Sequence, residues 1–180
     1  GDAKVKLMAN IDTTNENGGA GVTKQTALTF FGNNNILDLN GHTLKLVSDT
    51  GVTFFEVLKS LTIKDSGTDG RIDFEYGSSV IYRTTAIHVA HSAGAKLTVE
   101  SGTLSSTYDG VTLINSEGNL TIKGGKLEMP IAYDGVTPQT IFTFNSYGDG
   151  CKILISGGEI YGTTVFTRND SSVEKFPQDG

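Results

Sequence analysis

One short pattern of apolar and polar positions recurs five times along this chain. The versions are "LDLNGHTL" from Leu37, "LTIKDSGTDGRI" from Leu61, "LTVESGTL" from Leu97, "LTIKGGKL" from Leu120 and "ILISGGEI" from Ile153. Each reads apolar, polar, apolar, then a polar or glycine turn, then a further apolar residue, and the period of two before the turn predicts a strand. Stacking the phrases gives three columns. The first is Leu37, Leu61, Leu97, Leu120 and Ile153; the second is Leu39, Ile63, Val99, Ile122 and Ile155; the third, past the turn, is Leu44, Ile72, Leu104, Leu127 and Ile160. Every position is aliphatic once the second phrase is given four extra turn residues, 66–69.

A second strand-like run precedes each phrase: "TALTFF" from Thr26, "VTFFEV" from Val52, "TAIHVAHS" from Thr85, "VTLINS" from Val111 and "TIFTFNS" from Thr140, with a last "TTVFTRN" from Thr163. The phrases start 24, 36, 23 and 33 residues apart. Such spacing is too irregular for stacked helix pairs and ordinary for strand coils with variable loops. Two or three short strands per repeat close into one coil, and equivalent positions in successive coils stack about 4.8 Å apart. The pattern predicts an all-β parallel β-helix of about five coils with a continuous aliphatic core.

The succession "NILDLNGHTLKL", "SLTIKDSGTDGRI", "LTVESGTL" and "LTIKGGKL", opened by "AKVKLMANID", resembles the right-handed, single-stranded parallel β-helix regions of large secreted or cell-surface bacterial proteins, within the pectate-lyase-like superfamily. The likeness implies the hand of the coil and an extracellular location. It leaves activity open, because polysaccharide lyases, glycoside hydrolases, phage tailspikes and non-catalytic adhesins share the architecture.

Composition agrees with this class. The 180 residues include 23 Gly, only 3 Pro and no Trp, as expected for many strands and tight turns in a single domain. The expected layout is an N-terminal cap strand and loop over residues 1–25, coils over 26–168 and a tail over 169–180, with the chain capped by that tail or forming part of a longer protein. No apolar run approaches the ~18 residues of a membrane span, so no membrane insertion is expected. A net charge of −6 without a basic block speaks against nucleic acid as a partner. The lone Cys151 has no pairing or zinc-ligand spacing and reads as a packed thiol. The opening Gly1-Asp2-Ala3 carries no basic and apolar leader, so location rests on the resemblance.

In a β-helix, catalytic or binding side chains belong on the outward positions. The residues between the first two columns are Asp38, Thr62, Thr98, Thr121 and Leu154, and those after the second are Asn40, Lys64, Glu100, Lys123 and Ser156. Glycoside hydrolysis needs two carboxylates about 5–9.5 Å apart, whereas Asp38 and Glu100 fall on non-adjacent coils. Lys64, Glu100 and Lys123 read as a ladder of opposite charges. The threonine column, interrupted by Asp38 and Leu154, reads as solvent-facing strand and not as an ice-binding array.

Three local features remain. "YRTTAIHVAHS" gathers Tyr82, Arg83, His88 and His91, and Arg83, His88 and His91 form the catalytic candidate if the chain is a lyase or hydrolase. Asp73 and Glu75 are its nearest acids in sequence. "DSGTDG" from Asp65 lacks calcium-loop spacing and reads as a turn, so no metal or other cofactor is expected. The repeated "YDGVT" at residues 108–112 and 133–137, with Tyr147 in the next coil, offers Tyr108, Asp109, Tyr133, Asp134 and Tyr147 as a shallow carbohydrate site. Its rings would stack on sugar and its carboxylates would bind hydroxyls. The favoured reading is a non-catalytic adhesion, carbohydrate-contacting or spacer module whose partners are glycans or a host or cell-surface protein. A polysaccharide lyase or glycoside hydrolase is the first alternative and a trimeric phage tail or receptor-binding fibre the second.

Overall fold

A computed structural model describes residues 1–14, 28–48, 51–76, 84–92, 94–106, 111–129, 140–146 and 152–168. Among them every regular element is a strand, and no helix is long and apolar enough to cross a membrane. The strands fall into three parallel six-stranded sheets, an arrangement consistent with a β-solenoid. Sheet A stacks β1 (Lys4–Lys6), β4 (Asn35–Asp38), β7 (Ser60–Lys64), β10 (Lys96–Val99), β13 (Asn119–Ile122) and β16 (Ile153–Ile155). Sheet B stacks β2 (Ile11–Asp12), β5 (Thr43–Ser48), β8 (Arg71–Tyr76), β11 (Thr103–Ser106), β14 (Lys126–Glu128) and β17 (Glu159–Tyr161). Sheet C stacks β3 (Leu28–Phe30), β6 (Phe55–Val57), β9 (Thr84–Val89), β12 (Val111–Ser116), β15 (Thr140–Ser146) and β18 (Thr163–Arg168). The chain visits A, B and C in turn, so β1, β2 and β3 make the first layer and β16, β17 and β18 the last.

Alternation within each strand sends one face to the core. On β8 the burial pattern alternates strictly: Ile72 and Phe74 are fully buried between the half-buried Arg71, Asp73 and Glu75. The third column is continuous through all three central pairings, Leu44 with Ile72, Ile72 with Leu104, and Leu104 with Leu127, and it extends to Ile11 at one end and Ile160 at the other. The residues 66–69 therefore act as the extra turn that the alignment needed. Aromatic rings fill the core beside the second and third layers: Phe55 meets Phe30 and Phe74 edge-on, each at 5.4 Å between centroids, and Phe54 lies 5.0 Å from Tyr76. Burial pushes the Tyr76 phenol pKa up, and its hydroxyl donates to the Val52 carbonyl at 2.9 Å.

The first repeat is displaced by two residues from the sequence alignment. Asn35, and not Leu37, pairs with Leu61, while Leu37 pairs with Ile63 and Val5. The second column is thus Val5, Leu37, Ile63, Val99, Ile122 and Ile155. Asn35 holds the aliphatic position because its amide is fully used. Its Oδ1 accepts from the Ala3 amide at 2.9 Å, and its Nδ2 donates to the carbonyls of Gly32 and Ser60 at 2.9 and 2.8 Å. A buried polar side chain is tolerated when its partners are in place. The same shift moves Asp38 beside Lys64 and puts Ile36 at the head of the threonine column, next to Thr62.

Candidate functional site

Three outward surfaces carry the polar chemistry. On sheet A, the register now aligns Lys6, Asp38 and Lys64, and the amide ladder continues that outward row through Glu100, Lys123 and Ser156. Signs alternate from Lys6 to Lys123. Lys64 Nζ lies 3.6 Å from Asp38 and Lys123 Nζ donates to Glu100 at 3.1 Å, so the expected charge ladder is present and begins earlier than the alignment placed it. Desolvation pushes the Asp38 carboxyl up, but the Ser66 and Asn40 amides and the Lys64 ammonium together outweigh it and hold the group below its ordinary value.

The turn that follows sheet A is built on Asp65. Its Oδ1 accepts from the amides of Gly41 and Gly67 at 2.6 and 3.1 Å, and its Oδ2 accepts from Gly70 at 2.8 Å. Every near partner is a backbone donor, which is the Asp-Gly turn expected for "DSGTDG". Along this corner the stacked turns leave a shallow trough of about 570 Å³, lined by Asp65, Asp69, Thr103, Lys126, Glu159 and a run of glycines.

Sheet B carries a denser charge network, which the sequence reading did not single out. Lys45 bridges to Glu75 at 3.1 Å, Arg71 chelates Asp73 with its closest contact at 2.6 Å and reaches Glu128 at 3.6 Å, and Lys126 pairs with Glu128. Lys126 also lies over the Tyr161 ring, 5.0 Å from its centroid. The hydrogen bonds they donate to Glu75, Asp73 and Glu128 respectively are the largest cause raising the Lys45, Arg71 and Lys126 pKa values. The signal was present in the residues flanking the third column, Thr43/Lys45, Arg71/Asp73 and Lys126/Glu128, because strict alternation places both flanks outward.

On sheet C, Ile87 and Val89 are fully buried and His88 points out, as alternation requires. His88 Nδ1 lies 2.8 Å from Glu56 Oε1, and Nε2 lies 3.6 Å from Glu117 Oε1. The two acids that meet His88 are therefore Glu56 and Glu117. Asp73 and Glu75 belong to sheet B and pair with Arg71 and Lys45. Aligning "FEV" with "IHV" exposes the first contact, since Phe55, Glu56 and Val57 register with Ile87, His88 and Val89. His91 is exposed in the turn after β9. Arg83, Tyr108, Asp109, Tyr133, Asp134 and Tyr147, together with Tyr82 and Cys151, lie outside the described residues. Among the described residues no group of three or more His, Cys, Asp or Glu is arranged to hold a metal ion.

No protein family, curated protein or solved structure matches this chain.

Proposed function

We propose that the chain is a non-catalytic module of a secreted or cell-surface bacterial protein, a right-handed parallel β-helix of about five coils with pectate-lyase-like architecture. Its first layer leads those coils, and its role is to contact glycans or a surface protein while acting as a stiff spacer. The observation that carries this reading is the use made of outward charge. Asp38 with Lys64, Glu100 with Lys123, Lys45 with Glu75 and Arg71 with Glu128 each join residues of different layers. Side chains that a catalyst would aim at substrate hold one layer to the next here. Contact with sugar hydroxyls is supported by the trough, where Thr103, Lys126, Asp69 and Glu159 offer donors and acceptors along a surface that glycines leave open.

A glycan array probed with the purified chain at micromolar concentration tests this. The expected outcome is saturable binding, lost in Tyr108→Ala or Tyr133→Ala and weakened in Lys126→Ala. Absence of binding to every glycan contradicts the carbohydrate role and leaves a protein-contacting or spacer module.

A lyase or hydrolase reading is favoured by one observation, the meeting of Glu56 and Glu117 at His88. A carboxylate on Nδ1 orients an imidazole for proton transfer at Nε2. Release of reducing ends or unsaturated uronides from polysaccharide, abolished in His88→Ala, would replace the binding reading with this one.

A further inference from the structure

We propose that the outer face of sheet A binds a sulfated polysaccharide laid along the stack. The proposal rests on the glycan-contacting reading above, and it names the class of glycan and a surface for it apart from the trough. Charge is divided unequally around the molecule. The chain carries 14 basic and 20 acidic residues. Among the described residues, however, the outer face of sheet A presents Lys4, Lys6, Lys64, Lys96, Lys123 and Lys152 against only Asp38 and Glu100. Sheet B reverses the balance, with Lys45, Arg71 and Lys126 against Asp12, Asp73, Glu75, Glu128 and Glu159. A chain that is negative overall thus turns one positive face to solvent.

The lysines of that face differ in what they hold. Lys64 and Lys123 are committed to Asp38 and Glu100 in neighbouring layers. The leading outward row has no such balance. Its register sets Ser60, Lys96 and Asn119 side by side, and Asn119 Oδ1 accepts from the Lys152 amide at 2.8 Å, so the row runs on to Lys152. Lys59 precedes Ser60, and its carbonyl accepts from the Lys96 amide at 2.7 Å. Lys59, Lys96 and Lys152 are all exposed, and the row holds no acid. At the neighbouring corner Asp2 accepts from the Asn34 amide at 3.1 Å, and Glu117 faces His88. Like charges along one row repel, and an anion lying across them removes that cost.

The occupant follows from what stands beside the lysines. One alternation further along the strands, Thr98 pairs with Thr62 on one side and Thr121 on the other. Equivalent positions repeat about every 4.8 Å along the stack, and the two rows lie about 7 Å apart, so cations and hydroxyls form parallel lines. A polymer bearing both anions and hydroxyls meets both lines, and threonine can donate to and accept from a sugar hydroxyl. Neither row carries an aromatic side chain on which a base would stack, which disfavours single-stranded nucleic acid. Neither carries arginine, whose planar fork matches a carboxylate. Lysine meets an anion as a point charge, which suits a tetrahedral sulfate with oxygens facing several ways.

Calorimetric titration of the purified chain with dextran sulfate tests this, with polygalacturonate, single-stranded DNA and neutral dextran as comparison probes. Dextran sulfate should bind saturably, more tightly than the other three, and lose affinity as salt rises. Lys96→Ala and Lys152→Ala should each weaken binding about two- to fivefold, and the double substitution about tenfold. Lys96→Arg should retain binding, and Lys45→Ala, which removes the same charge from sheet B, should leave it unchanged. Equal losses in Lys45→Ala and Lys96→Ala would mean attraction without a site and overturn the inference. Tighter binding of polygalacturonate or of DNA overturns the sulfate assignment. Binding of neutral glycans without binding of dextran sulfate overturns this inference and leaves the glycan-contacting reading standing, whereas failure of every glycan overturns both.

Discussion

Ile63 and Ile155 occupy the same inward column of the same sheet, yet Ile63 is fully buried and Ile155 is 45% exposed. Both sit in versions of the same repeated phrase, "LTIK" against "ILIS", with an aliphatic residue two positions before each. What separates them is the layer on the far side. In a stack each residue is buried by the layers above and below it, so an apolar phrase makes core only in the interior. The same contrast holds for polar groups. Asp38 is held by the Ser66 amide from the next layer at 2.9 Å, whereas the exposed Asp12 at the end is held mainly by Thr14, two residues further on.

Substitution of the two isoleucines should give the widest separation. Ile63→Ala is expected to cost about 2–5 kcal/mol in urea unfolding, as for a large-to-small change in a packed core. Ile155→Ala in dilute solution should cost less than about 1 kcal/mol, in the range of surface substitutions. Equal losses would mean that the last layer is as well covered as the interior.

The aspartates come next. Asp38→Asn should cost about 1.5–3 kcal/mol at neutral pH, the range for hydrogen bonds to a charged group, and Asp12→Asn should leave the unfolding midpoint unchanged. The folded Asp38 pKa lies below its ordinary 3.8, so its contribution is fully present above that value and is lost as pH falls through the lower folded value. Wild type and Asp38→Asn should therefore converge in stability at the acid end of a pH series, and parallel curves would contradict the assignment.

Two glycines sharpen the comparison at the turns. Gly125 and Gly94 have nearly the same positive φ, +82° and +83°, but a Cβ on Gly125 would sit 2.5 Å from the Gly102 carbonyl oxygen of the adjacent layer, while one on Gly94 meets nothing within 4 Å. Gly125→Ala is expected to cost more than about 2 kcal/mol, adding a backbone clash to left-handed strain, and Gly94→Ala about 1 kcal/mol from strain alone. The smallest effect belongs to the exposed Lys123 and Glu100 pair, where Lys123→Ala should change stability by under about 0.5 kcal/mol and less still at high salt.

The strands and the third column were legible because apolar alternation is a local property and this column has no exceptions. The register of the first repeat was not. An alignment that rewards aliphatic identity pairs Leu37 with Leu61, and only three dimensions reveal that Asn35 has partners for its whole amide at that level. The shift then carried Asp38 out of the threonine column and into the charge ladder. The candidate site was legible in part. His88 was found and its outward direction followed from alternation, but Glu56 and Glu117 stand 32 and 29 residues away in sequence, and only the stacking of repeats of unequal length joins them.

The most direct measurement is amide hydrogen exchange of the dilute chain. The dilute sample should show slow exchange in β7, β10 and β13 and fast exchange in the edge strands β1 and β16. Edges that are as protected as the interior in the dilute sample would contradict the account of burial by neighbouring layers.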